Sequence, residues 1–548
     1  MNTAIDIKRF ALISEGVPTD SGELTPADRR ANTLVLLARE GMRAGVLVES
    51  GGPIRQGGEN FTNVSKSSEL RTYLFEKLKT CRSMKRTVKA LSVQTTSVTN
   101  KTNGLKRELE FRDIFFLSFG GQAPFLSMLT YATAVLLLAL YFSPIVVIIG
   151  TSVVLINGIV VYYLSKKHTE TGGYFNYALK LLSKRFGFET GWLYVFYSIL
   201  YAGGYLIGSA FVLSYIVGIP APISFAIVFL PSSLFLILGI KPSKHYAVFA
   251  GAIEVVVLIA VVIVSLFISH FVLYNPVSNV PSASVIFFGI LFAIGIPTGY
   301  GAITPVSGET KNAHKNVGRA ALMVIVIGGL LEALVLYGLV DVGITTHSFN
   351  AMLSSNIPVI TVMRSFLGNY SVPLFLFAGV NDGILGSLAF LTAASRVLYS
   401  MSSNKMLNPF FSKISSRSGT PITAVIAVIL VSGIILIPAV LTVNVFVLFL
   451  FLGSMAGLAN LAVHLTSNFS LLLESIRSTM KSLRRISVSL LAISLSGFVL
   501  IYSLIGSSDD FILIFMGYII LGFIVLESLD MRRESASISK EVSKNLPP

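Results

Sequence analysis

The chain has 548 residues, 53% of them hydrophobic and only 13% charged, with a formal charge of +15 at pH 7. A mean hydropathy of +0.76 is far above that of a domain that must clothe itself in polar surface, so a soluble globular protein is excluded and an integral membrane protein implied. Cys81 stands alone and the six histidines have no metal-ligand spacing, which removes disulfides and a metal centre from consideration. No Walker loop, G-x-S-x-G or comparable constellation occurs, so neither an enzyme nor a cofactor is implied.

In chain order, residues 1–107 come first. They are polar, basic and rich in Ser and Thr, and their one apolar patch, TLVLLA, is too short for the core of a signal peptide. They read as a disordered or dispensable extension. Met84 opens a shorter basic lead into the apolar part of the chain.

From there twelve apolar runs follow, near 115–138, 145–164, 190–217, 222–239, 245–269, 285–306, 319–343, 372–400, 421–439, 443–466, 486–505 and 510–528. Each approaches the roughly 20 residues that cross a hydrocarbon core as a helix. Seventeen Lys and Arg residues fall in the even-numbered connections and only Arg364 in the odd-numbered ones. By the positive-inside rule this asymmetry places the even connections and both termini in the cytoplasm. The basic charge is thereby assigned to anionic lipid and not to nucleic acid.

Two runs are interrupted in matching places. The first contains Gly120, Gly121, Gln122, Ala123 and Pro124; the sixth contains Ile296, Pro297, Thr298, Gly299 and Tyr300. Proline removes a helix donor and glycine loosens helix geometry, so the backbone ladder is expected to fail at both. Unpaired backbone groups at membrane depth are tolerated only where they line a cavity or are covered by protein. Five runs separate one break from the next. Because five is odd, a repeat of that length enters the membrane from the opposite side. The expected organisation is therefore a first repeat over 108–269, an inverted second over 285–466, two further helices over 486–528 and a tail over 529–548. Half-helix ends at such breaks offer N–H groups to an anion and carbonyls to a cation, the two charges of an α-amino acid.

Ionisable groups inside these runs are functional candidates because each is costly to bury. Glu254 lies in the fifth run and Glu332 near the middle of the seventh. Asp382, in the eighth, suits either a ligand contact or a backbone hydrogen bond. Arg396 is expected to reach the cytoplasmic interface as an anchor. His464 is expected to be a packing residue.

Three stretches resemble the amino acid–polyamine–organocation superfamily of permeases. They are TGGYFNYALKLLSKRFGFETGW at 171–192, TGYGAITPVSGETKNA at 298–313 and LTAASRVLYSMSSNKMLNP at 391–409. The resemblance runs from about 111 through the tenth span and more weakly beyond, and it does not reach residues 1–107. It implies an all-α membrane protein of about twelve helices with the leucine-transporter-like fold, and secondary active transport of an amino acid or amine by alternating access. Substrate is expected at the two breaks and coupling at Glu254 and Glu332, with a proton or sodium as the coupled ion. Thr392 and Ser395 occupy the region where sodium-coupled members hold their ion. The aromatic gate usual at the position of Pro297 is missing, and Tyr300 or Phe292 is the available substitute. A sodium symporter and a non-transporting nutrient receptor are the alternatives to a proton-coupled or exchanging permease of the plasma membrane. The extension has no counterpart in the resembled family, so a chain started at Met84 is expected to keep full uptake in a transport assay; loss of uptake on that truncation would give residues 1–83 a function.

Overall fold

The computed structural model describes residues 105–355, 358, 360–361, 364, 368–478 and 482–545. The extension expected over 1–107 lies, apart from its last three residues, outside them. Among the described residues the chain is all helix save one isolated bridge.

Ten helical stretches are long and apolar enough to cross a membrane. The first, Phe111–Ser165, contains two of the twelve expected runs. It comprises α1 (Phe111–Gly120), a short α2 (Pro124–Ser127) that continues through a π turn into α3 (Thr133–Ala139), and α4 (Ser143–Ser165). Leu140, at φ 48° and ψ −121°, separates α3 from α4. The sixth expected run is α9 (Ala283–Ala293), too short to cross alone, followed by 3-10 turns at Thr298–Ala302 and Thr304–Glu309. All twelve expected runs are accounted for, two of them as broken helices.

The other long helices are α6 (Lys184–Val217), α7 (Ala221–Leu238), α8 (Ile240–Ile268), α10 (Ala313–Thr345), α12 (Ser371–Ser403), α13 (Ile422–Thr442), α14 (Val445–Arg477), α15 (Leu483–Ile505) and α16 (Asp509–Asn545), with short α5 (Tyr174–Leu181) and α11 (Phe349–Leu353) between them. The most apolar windows of α6 and α12 are 78% buried, whereas those of α15 and α16 are 22% and 17% buried. The first pair is therefore the centre of the bundle and the second faces lipid. A triad of Asn157, Asn468 and Ser496 pins α15 to α4 and α14: the Asn468 amide donates to Asn157 Oδ1 at 2.9 Å and the Ser496 hydroxyl to the same oxygen at 3.1 Å.

Contacts fix the directions of the central elements. Phe125 stacks on Phe375 at 5.5 Å and Gly120 meets Leu385, so the first span runs antiparallel to α12. Lys244 pairs with Asp113 at 2.9 Å and Gly251 meets Phe116, so α8 runs parallel to it. At one end of the bundle rings gather, Tyr141 on Phe349 and Tyr274 on Tyr337, each at 4.7 Å.

The opposite end is closed by polar bonds. The amides of Glu108 and Leu109 donate to the Glu309 carbonyl at 2.8 and 2.9 Å, and the Lys311 amide donates to the Leu109 carbonyl at 2.8 Å. These bonds hold the lead into α1 against the segment that leaves the sixth span. Beside them the Lys311 ammonium donates to Glu110 at 2.9 Å and holds that carboxyl below its usual range. The pair is exposed, so it contributes little to stability.

Arg396 departs from the expected interfacial anchor. It is only 1% exposed, and its Nε and Nη2 donate to the two oxygens of Glu309 at 3.0 and 3.1 Å. Its Nη1 donates to the Ser395 hydroxyl at 3.0 Å. A fork of donors facing two carboxylate oxygens is the geometry in which burial of both charges is best compensated. Removing one partner strands the other, at a cost of about 3–5 kcal/mol. Arg396→Leu is accordingly expected to lower the thermal midpoint of the detergent-purified protein, and the double variant with Glu309→Leu to recover most of the loss. A single variant as stable as the unmodified protein would show that the pair is not buried.

Candidate functional site

At the first break α1 stops after Gly120. Gln122 still donates to the Ser118 and Phe119 carbonyls at 3.1 and 3.0 Å, but Ala123 takes left-handed backbone, φ 45° and ψ 63°, and Pro124 has no N–H. The chain restarts with the Leu126 amide donating to Asp382 Oδ2 at 2.7 Å. A carboxylate from α12 thus caps the restarted half-helix, where partial positive charge collects. Asp382, for which the sequence left two roles open, has the backbone one.

At the second break α9 unwinds after Ala293. Gly295 and Ile296 donate to the Phe292 and Ala293 carbonyls at 2.9 and 3.2 Å, and the Thr298 hydroxyl donates to the Gly295 carbonyl at 3.0 Å. Pro297, at φ −87° and ψ 43°, is outside the helical region. Gly299 then lies directly on the first break: a β-carbon there would run into the Ser118 carbonyl oxygen and the Gln122 amide nitrogen. Only glycine permits that approach. A bulky residue at Gly299 therefore perturbs the fold before it perturbs any ligand.

All ten residues expected at the substrate site, Gly120 to Pro124 and Ile296 to Tyr300, are buried and brought together. They meet where Gly299 packs on Ser118 to Gln122. A cavity of about 260 Å³ borders the sixth span. Of the ten, only Thr298 and Tyr300 line it, joined by Gly295 and Phe292. Its other walls include Tyr131 after α2, Asn157 of α4, Tyr201 of α6, Gly453, Gly457, Asn460 and His464 of α14, Tyr502 of α15, Gly506 just beyond that helix, and Phe511 of α16. Reaching the turn between α15 and α16, it extends away from the end closed by Arg396 and Glu309.

The deep end of this cavity is polar. Tyr300 Oη and His464 Nε2 share a hydrogen bond of 2.9 Å, and their rings stack at 5.1 Å. Tyr174 meets the other face of the histidine edge-on at 5.1 Å. The His464 ring is therefore more than packing: it ties α14 to the sixth span just past the break. Its Nδ1 is buried without a hydrogen-bond partner. The nearby Tyr201 hydroxyl lies within hydrogen-bond reach of Thr298 and Asn460. No Asp, Glu, Lys or Arg lines the cavity.

The expected coupling residues occupy two places. Glu332 of α10 accepts from the Gln122 amide at 3.3 Å, which joins the first break to the seventh span, and its second oxygen has no partner. Glu254 of α8 is 1% exposed. It lies against Asp382, also buried, within reach of a carboxyl–carboxyl hydrogen bond. Ser395 donates to the Thr392 carbonyl at 2.7 Å while receiving Arg396, so its oxygen is already engaged. Among the described residues no group of three or more His, Cys, Asp or Glu side chains is placed to hold a metal ion.

Sequence reasoning missed the walls given by α14 and α15. A signal existed: in GSMAGLANLAVH, Gly453, Gly457, Asn460 and His464 are spaced four, three and four apart, which puts them on one helical face. Nothing comparable announced α15, whose part depends on how it docks.

A search of curated proteins finds no match to this chain. The family model described as amino acid permease matches residues 113–531, a stretch that begins just before the first break and ends in α16. With both broken spans and all the walls of the cavity inside that match, the chain belongs to the amino acid permease family.

Proposed function

We propose that this amino acid transporter is a secondary active permease of the plasma membrane, driven by protons through Glu254, with both termini in the cytoplasm. The orientation rests on the seventeen basic residues in the even connections against one in the odd ones. The transport cycle rests on the two broken spans, which fall at equivalent points of residues 108–269 and 285–466 if these are inverted repeats.

The observation that carries the coupling is the surroundings of Glu254. Its carboxyl group is buried against that of Asp382, within reach of a shared proton, and Asp382 in turn caps the restarted first span through Leu126. An unpaired carboxylate withdrawn from water costs several kcal/mol, whereas a protonated carboxyl costs far less. The closed arrangement therefore favours Glu254 with its proton. Losing that proton sets two negative charges beside one another and pulls at the cap on the first span, so proton release and movement of the broken span favour each other. Glu332, bonded to Gln122, links the same break to α10 and is the second candidate.

Proteoliposome uptake under an imposed pH step, beside substrate-for-substrate exchange without one, tests this. Glu254→Gln keeps the shape but cannot ionise; it is expected to abolish accumulation driven by the pH step and to leave exchange within about twofold of the unmodified protein, since the two processes differ only in proton movement. Undiminished accumulation would make Glu254 structural and move the test to Glu332. A sodium step that drives uptake where the pH step does not would favour the symporter, and saturable binding without flux would favour a receptor.

A further inference from the structure

We propose that the cavity beside the broken sixth span receives the side chain of an amino acid whose side chain carries no charge, and that α14 and α15 set the largest size admitted. This rests on the permease reading above and adds the substrate class to it.

Three independent features lead to the proposal. The first is what the walls lack. His464 is bonded to Tyr300, and every other lining side chain is uncharged. A guanidinium, ammonium or carboxylate on a substrate side chain would leave water with no counter-charge to meet it, an expense that a buried ion recovers only from a partner. The walls away from the break set Phe288, Leu458, Leu461, Tyr502 and Phe511 beside the neutral hydroxyls of Ser454, Ser503 and Ser507, surfaces that favour an uncharged side chain.

The second feature is the deep end. The Tyr201 hydroxyl lies within hydrogen-bond reach of Thr298 and Asn460, and His464 Nδ1 is buried without a partner beside them. A cavity end built of neutral donors and acceptors favours a polar guest. With Thr298 and Asn460 beside them, they suit the amino and carboxyl groups common to all α-amino acids, so the variable part of the substrate is directed toward α15.

The third feature is Gly457. It lies inside α14 on the cavity wall, and a β-carbon built on it would meet no atom within 4 Å. A helix-interior glycine with neither a neighbour to spare nor an unusual backbone angle loses about 1 kcal/mol relative to alanine. The cavity is what that glycine leaves room for. At about 260 Å³ it holds one small molecule and falls just under the range of about 300–1,000 Å³ typical for drug-sized ligands.

The full chain in proteoliposomes is assayed for uptake of alanine, leucine, phenylalanine, arginine and glutamate, with Gly457→Leu beside the unmodified protein. Leucine or phenylalanine is expected to be taken up with kcat/KM at least about tenfold above arginine and glutamate. Gly457→Leu, whose β-carbon would meet no atom of the fold within 4 Å, is expected to raise KM for phenylalanine about tenfold or more beyond any rise for alanine, the scale on which apolar pockets discriminate by size. Arginine or glutamate carried as well as leucine would overturn the substrate class and leave the permease reading standing. No flux of any amino acid would instead overturn the permease reading. An equal effect of Gly457→Leu on alanine and phenylalanine would show that the cavity does not hold the side chain. Co-purified phospholipid that the variant displaces, with amino acid KM unchanged, would assign the cavity to lipid and overturn the proposal.

Discussion

Backbone meets backbone at the point where Gly299 lies on Ser118 to Gln122, and the rest of the central architecture follows from that contact. Two helices can approach so closely only where one has no side chain, and they can both be broken there only if each covers the other's unpaired peptide groups. The contact accounts for the burial of all ten residues around the breaks. The cavity borders the sixth span on the side of α14 and α15.

The buried charges divide into two kinds. Arg396 and Glu309 compensate one another completely, at the end where the lead into α1 is hydrogen-bonded to the exit of the sixth span. Glu254, Asp382 and Glu332 are buried around the first break, and among the described residues none of them pairs with a cation. A compensated pair favours a single arrangement. Uncompensated carboxyls do the opposite, since each leaves a cost that protonation or movement can relieve. The fold thus combines a fixed closure at one end with a centre that gains from rearrangement.

Much of this was legible in the sequence. Long apolar runs with basic residues in alternate connections gave the spans, and Gly120 to Pro124 and Ile296 to Gly299 gave the breaks, because proline and glycine act locally and their effect does not depend on neighbours. Arg396 was misread as an interfacial anchor because its partner, Glu309, is 87 residues away in the chain. Asp382 stayed ambiguous for the same reason, as its amide partner at Leu126 is 256 residues away. The cavity was invisible because it belongs to no single element: the four-residue spacing on α14 marked a face, but only packing shows what that face borders.

The triad of Asn157, Asn468 and Ser496 gives α15 an unusual double allegiance. Hydrogen bonds secure it to the interior, yet its apolar window is only 22% buried, so most of its surface is in contact with acyl chains. One thin wall then stands between the cavity and the bilayer. A transmembrane helix answers a change in hydrocarbon thickness by tilting, at a cost of only fractions of a kcal/mol per Å of mismatch. Pivoting α15 about its triad swings Tyr502 and Gly506, which lie beyond the pivot, toward or away from Gly457. The width of the cavity is therefore a joint property of this chain and of the membrane around it.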